Sequence, residues 1–184
     1  KNINDYVFPY ISILKNYDII GRFFNEFLKY SGGDKQSFGI VLTPKHITEF
    51  MVKLSGANLN TKVIDTCCGT GGFLVAAMDE MLKKAFSKSD KIKILSENLV
   101  GCEDLPEMFT LAAGNMILRG DGKANLYQGD SFNKKIFKIL KNHKADIGLI
   151  NPPFSQKEEE IKELAYVSNM LSIIKKGGIG IAIL

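Results

Sequence analysis

The run Asp146-Ile147-Gly148-Leu149-Ile150-Asn151-Pro152-Pro153-Phe154 constrains the fold of this chain more than any other stretch. Residues 145–150 are short, mostly apolar and β-branched toward their end, the pattern of a buried strand. Two consecutive prolines then fix φ twice and remove two N–H donors, so the strand stops here. A residue before proline is pushed out of the α region, which leaves Asn151 extended and stiff. An amide side chain and an aromatic ring are thereby held at the carboxyl end of a strand, where open α/β sheets bind their ligands.

The chemistry of that tetrapeptide narrows the ligand. The amide oxygen of Asn151 and the carbonyl of Pro152 are acceptors that together can hold a planar –NH2 group. Phe154 adds a flat face for stacking. A planar ring with an exocyclic amine is a nucleobase, and adenine fits well. The competing reading of an isolated Asn-Pro-Pro is a turn capped by Asn151, since both residue types are common in turns. Other stretches weigh against it.

A second strand, residues 61–65, runs into Asp65-Thr66-Cys67-Cys68-Gly69-Thr70-Gly71-Gly72-Phe73, with a helix starting near Phe73. Strand, glycine loop and helix form the nucleotide-cradling arrangement, in which backbone N–H groups at a helix start face the ligand. The spacing is not Gly-x-Gly-x-x-Gly, and no Gly-Lys-Ser/Thr follows, which argues against a phosphate-gripping loop. Asp65 at the strand end would repel a pyrophosphate but suits a cationic amine, which favours a ligand with an amino-acid end. Cys67 and Cys68 have no second Cys or His cluster at ligand spacing, so no metal is expected.

A third strand, residues 99–102, ends at Glu103-Asp104, the position from which a carboxylate grips a ribose diol. Residues 106–119 read as a helix with Met108, Leu111, Ala112, Met116 and Ile117 inward. Residues 124–127 form a strand before Gln128-Gly129-Asp130-Ser131-Phe132, where Asp130 can accept from an adenine amine. Residues 83–90 read as a helix end and loop. Residues 158–176 read as a helix, and residues 179–184 as a last strand. Ahead of the glycine loop, Thr43 reads as an N-cap with Pro44 at the first helical position, followed by a buried stripe of Ile47, Phe50, Met51 and Leu54. Residues 17–30 read as an amphipathic helix that ends at Ser31-Gly32-Gly33-Asp34.

The order β-α-β-α-β-β-α-β indicates an α/β fold, a parallel sheet with helices on both faces. Residues 1–36 are expected to be the tail of a helical region plus a linker. Residues 37–184 are expected to be a catalytic core that is incomplete at its carboxyl end.

Taken together, these stretches resemble the S-adenosylmethionine-dependent DNA adenine-N6 methyltransferases, above all the modification subunits of type I restriction-modification enzymes. The likeness rests on Phe38-Gly39-x-x-x-Thr43-Pro44-Lys45, Asp65-x-x-Cys68-Gly69-Thr70-Gly71-Gly72-Phe73, Gly101-x-Glu103, Gly129-Asp130-Ser131 and Asn151-Pro152-Pro153-Phe154, in the family's order. It covers the chain from about residue 18 onward and implies a Rossmann-like methyltransferase sheet. By the resemblance, Ile40, Val41, Leu42, Thr43, Pro44 and Lys45 enclose the methionine half of S-adenosylmethionine together with Asp65, Cys68, Gly69, Thr70, Gly71, Gly72 and Phe73. Glu103 takes the ribose hydroxyls, and Asp130 with Ser131 sits near the cofactor's adenine. Asn151 and Pro152 hold the target amine, Pro153 completes the motif, and Phe154 stacks on a flipped base. The implied partners are DNA and the specificity and restriction subunits of a type I complex. Two departures stand out: Thr66-Cys67 where the family usually has Pro-Ala, and Phe154 where many relatives carry Tyr.

Composition sets outer limits. Of 184 residues, 45% are hydrophobic and 24% charged, which is globular rather than disordered. The net charge of +4 is compatible with a nucleic-acid partner but too small to argue for one. No apolar run reaches membrane-spanning length. Three cysteines, two of them adjacent, make a poor disulfide framework, and a cytoplasmic setting is expected. Three rival readings remain: a methyltransferase acting on protein glutamine or RNA, a dinucleotide-binding oxidoreductase, and a non-catalytic nucleotide-binding module. The Thr43-Pro44 segment and the Gly-Gly-Phe loop ending disfavour the first. The missing third loop glycine disfavours the second.

Overall fold

A computed structural model of the chain describes residues 42–120, 125–154 and 162–184. Five strands, β1 (Val63–Asp65), β2 (Leu99–Glu103), β3 (Asn125–Gln128), β4 (Ile147–Ile150) and β5 (Ile179–Ala182), form one sheet in the order β3-β2-β1-β4-β5. Every pairing is parallel; Ile64 stands opposite Val100 on one side and Gly148 on the other. The chain winds outward from β1 to β3, then returns to the other side of β1 with β4. The crevice beyond the ends of β1 and β4 is therefore the topological switch point of the sheet.

Helices cover both faces: α1 (Lys45–Ser55), α2 (Gly72–Leu82), α3 (Lys88–Glu97), α4 (Pro106–Leu118), α5 (Lys134–Asn142) and α6 (Glu163–Ile173). One core joins Met51, Leu74, Met78, Met81, Ile94 and Met116, from the first four helices, to Val63, Leu99 and Leu149 of the sheet. The other joins Leu140, Met170 and Ile173, from α5 and α6, to Ile64, Val100 and Ile150. Alternate residues of a strand point to opposite faces, so successive residues of β1 and β4 feed different cores. Each fully buried Leu, Ile or Met contributes about 1.5–3 kcal/mol of transfer free energy. Gly148 lets α6 approach β4 closely, because a Cβ there would lie 1.9 Å from Met170 Sδ. Among the described residues no helix is long and apolar enough to cross a membrane.

The α/β architecture matches the expected one, with differences in detail. Two helices were not expected. The first, α3, buries only Ile94, so it carries no apolar stripe; it is started by a capping box in which Ser87 and Asp90 exchange hydrogen bonds. The second, α5, is nine residues long and capped by the Asn133 side chain on Lys135 N–H. Thr43 is not an N-cap: Pro44 occupies the cap position and no side chain caps the helix. Phe50 and Leu54 are not core residues but 62% and 63% exposed; α1 buries Thr48, Met51, Val52 and Ser55 instead. Ile117 likewise faces outward, and Asn115 is buried in its place. The helix expected over 158–176 is described from Glu163 to Ile173. The amphipathic stretch at 17–30, the expected boundary near residue 36, and Ile40 and Val41 lie outside the described residues.

Candidate active site

At the carboxyl ends of β1, β2, β3 and β4 lies a cleft of about 420 Å³, within the size range of small-molecule sites. Its walls bring together Leu42, Gly69, Glu103, Asp130, Ser131 and Asn151 through Phe154, all singled out by sequence.

The glycine loop is tied to β2 from below. Cys68 N–H donates to Cys102 O (2.9 Å), and Gly69 N–H donates to Glu103 Oε2 (2.8 Å). Leu105 N–H donates to Glu103 Oε1 (3.0 Å), so both carboxylate oxygens are held by backbone. An ionised carboxylate accepts about four hydrogen bonds, which leaves capacity on each oxygen for a diol. Gly101 makes the arrangement possible: a Cβ there would meet Leu126, Leu74 and, at 3.2 Å, Cys68 Sγ. Gly69 and Gly71 have φ of +54° and +83°, the left-handed region in which side chains are strained.

The rest of the loop is structural. Thr70 is buried, and its carbonyl accepts from Asn115 Nδ2 at 3.0 Å. Phe73 belongs to the core. A Cβ on Gly71 would lie 3.7 Å from that of Ala112. Thr70, Gly71, Gly72 and Phe73 therefore set the loop's shape without lining the cleft, and neither Cys68 nor Pro44 nor Lys45 lines it.

Asp65 is buried at the end of β1 beneath the cleft wall, and Cys67 N–H donates to its Oδ1 at 3.1 Å. Burial raises its pKa to about 8; the Cys67 N–H opposes the rise, and the nearby Glu103 adds to it. The thiols of Cys67 and Cys68 are pushed above their ordinary range by burial and then by Asp65, and that of Cys102 to about 12 by burial and then Glu103. They stay protonated at neutral pH and are poor nucleophiles. Among the described residues no group of three or more His, Cys, Asp or Glu could hold a metal ion.

Asp130 is exposed at the cleft and forms a local turn, its Oδ1 accepting from Phe132 N–H at 2.8 Å. Ser131 is buried, its hydroxyl accepting from Asn169 Nδ2 of α6 at 3.1 Å. Phe132 packs edge-on against Tyr166, with centroids 5.0 Å apart at 79°.

Asn151 Nδ2 donates to Thr43 Oγ1 at 2.9 Å. The hydroxyl read locally as a helix cap thus anchors the amide of a residue 108 positions away. This contact holds the amide against Thr43, with the nitrogen on the hydroxyl side. Pro152 is buried, while Phe154 is 41% exposed. Sequence reasoning missed Thr66, Cys67, Leu105, Met108 and Tyr166 as cleft residues. Leu105 and Met108 were readable as apolar residues just past the acid that ends β2. Tyr166, on α6, gave no local signal.

Asn151, Pro152 and Phe154 thus share one cleft with a carboxylate held by two backbone N–H groups. The chain matches the family model described as N-6 DNA Methylase over residues 15–176. It is 40% identical over 169 residues to the type II restriction enzyme and methyltransferase RM.BcgI of Heyndrickxia coagulans, covering 89% of this chain and 26% of that protein. It is 29% identical over 133 residues to the type I restriction enzyme EcoEI methylase subunit of Escherichia coli, covering 72% of this chain and 27% of the subunit. This chain therefore spans about a quarter of the length of these relatives. The crystal structure of the type I restriction enzyme EcoKI M protein superposes with a TM-score of 0.67 at 19% identity, over 78% of this chain and 34% of that one.

Proposed function

The chain belongs to the N-6 DNA methylase family, and from that premise we propose that the protein carrying it transfers a methyl group from S-adenosylmethionine to N6 of adenine in DNA, as the modification activity of a restriction-modification system. One observation carries the reading. The Asn151-Pro152-Pro153-Phe154 motif ends β4 at the switch point and shares one cleft with Glu103 and Asp130, which end β2 and follow β3. The sheet order then matches the chemical order of the reactants: adenine moiety, ribose, methionine and acceptor amine run across β3, β2, β1 and β4.

S-adenosylmethionine, when bound, supplies an electrophilic methyl on a sulfonium that leaves as a neutral thioether. Glu103 would hold the ribose diol with the lone pairs not used by Gly69 and Leu105. Asp130 would accept from the cofactor's adenine amine. The side-chain oxygen of Asn151 and the Pro152 carbonyl would accept hydrogen bonds from the two N–H groups of the target N6, which gives up one of its protons to solvent once it carries the methyl group. That pairing favours the pyramidal nitrogen that attacks over the one conjugated with the ring, which is electrostatic stabilisation of the transition state. Thr43 would fix the amide in the orientation this needs. Phe154 would stack on a base taken out of the duplex. Holding the nitrogen in line with the methyl contributes much of the rest. Asp65 would brace the loop from beneath through the Cys67 N–H, and Leu42 would close the methionine end.

Two arrangements of partners follow from the relatives. Type I methylase subunits support a separate modification subunit working with specificity and restriction subunits. The type II relative, described as both restriction enzyme and methyltransferase, supports one chain that carries both activities. A radiolabelled methyl-transfer assay on duplex DNA tests the central reading, with Asn151→Ala as the probe. Cofactor binding should persist while transfer falls about 100- to 1,000-fold, the usual effect of removing one such transition-state contact. Undiminished turnover in that variant would remove Asn151 from the chemistry.

A further inference from the structure

Thr66 follows Asp65 at the end of β1 and opens the glycine loop. It lines the cleft, yet it is only 3% exposed, and its hydroxyl oxygen has no hydrogen-bond partner among the described residues. Its polar neighbour is the adjacent Cys67 thiol, whose pKa a hydrogen bond from this hydroxyl lowers, and sulfur is a weak acceptor. A buried polar group without a partner lowers the stability of a folded protein and calls for a specific explanation.

We propose that Thr66 is a further cofactor-binding residue, its hydroxyl hydrogen-bonded to the amino-acid end of the methyl donor. The inference rests on the function proposed above. In the sheet order, β1 lies between β2, whose Glu103 is assigned the ribose, and β4, whose Asn151 is assigned the acceptor amine. A side chain at the end of β1 therefore meets the part of the donor between ribose and acceptor, which is its methionine portion. The only strong hydrogen-bonding groups of that portion are the α-ammonium and the α-carboxylate. A hydroxyl can accept from the first or donate to the second. Either bond satisfies the buried Thr66 oxygen and is charge-assisted, hence stronger than a neutral one.

Two probes separate the outcomes. S-adenosylhomocysteine carries the amino-acid end, and 5′-methylthioadenosine shares its nucleoside and thioether but lacks that end. Titrated into the intact protein, Thr66→Val is expected to weaken S-adenosylhomocysteine about tenfold while leaving 5′-methylthioadenosine within about twofold. Thr66→Ser should restore the affinity. The ligand-free melting temperature of Thr66→Val should not fall, because the hydroxyl removed has no strong hydrogen-bond partner among the described residues. Equal loss for both probes, no loss for either, or a destabilised ligand-free variant would each overturn the proposal. If the unsubstituted protein binds neither probe, the cofactor reading itself fails; if it binds both and Thr66→Val binds them as well, only the role of Thr66 fails.

Discussion

Asp65 gives the most quantitative prediction. Its carboxyl is wholly buried, and burial lifts its pKa from 3.8 to about 8. The unfolded chain releases this proton near pH 4, whereas the folded chain keeps it until about pH 8. Between those values the folded state binds more protons, so stability falls as pH rises through the window. At about 1.4 kcal/mol per pH unit, the ceiling on the loss is roughly 6 kcal/mol, and relaxation around the ionised group reduces it to a few kcal/mol. Asp65→Asn removes the ionisation and keeps Oδ1 as acceptor for Cys67 N–H. Urea denaturation of ligand-free protein should show the two forms nearly equal at pH 4.5. By pH 8 the variant should be more stable by a few kcal/mol. Taking the difference between the two forms cancels the titration of groups not coupled to Asp65. A difference that stays constant from pH 4.5 to 8, or a variant less stable at pH 8, would refute the argument.

Other perturbations have equally definite outcomes. Gly148→Ala places a methyl group 1.9 Å from Met170 Sδ and should cost about 1–3 kcal/mol in a thermal melt, with part of the loss recovered when Met170→Ala is added. Asn169→Ala leaves the buried Ser131 hydroxyl without its donor and should cost roughly 1–3 kcal/mol in urea. Glu103→Gln puts an amide –NH2 against one of two backbone N–H donors; it should weaken S-adenosylhomocysteine at least tenfold and speed amide exchange at Gly69 or Leu105. Thr43→Val removes the acceptor that orients Asn151 and should lower the methyl-transfer rate about tenfold with little change in cofactor affinity, so a larger effect on affinity than on rate would argue against an orienting role.

What was legible in the sequence lies where local chemistry is decisive. Proline pairs, glycine loops and strand-end acids announce themselves, because each dictates backbone geometry or charge at its own position. The parallel sheet and most of the cleft wall follow from them. The two unforeseen helices fail for different reasons. In α3 only Ile94 is buried, with Leu95 partly packed beside it, so its clearest sign is the Ser87–Asp90 capping box. In α5, Ile136, Phe137 and Leu140 are spaced for a helix, but a nine-residue element offers little more than one repeat of the pattern. Helix α1 carries apolar side chains on two sides, and periodicity alone does not say which side meets the sheet; Thr48 and Ser55 went in, Phe50 and Leu54 out. The use of Thr43 was hidden because its partner is 108 residues away, while a helix-capping role is suggested by its immediate neighbours.

The hydrogen bond between Asn151 and Thr43 also has a thermodynamic consequence. It joins the segment leading into α1 to the end of β4, so the wall assigned to the donor and the grip assigned to the acceptor share one link. A molecule that firms that link from one side prepares the other, and the free energy of this cooperation must be the same in both directions. Whatever factor the first reactant adds to the affinity of the second, the second returns to the first. On the function proposed above, this bond of 2.9 Å is the place in the structure where donor and acceptor binding would be coupled.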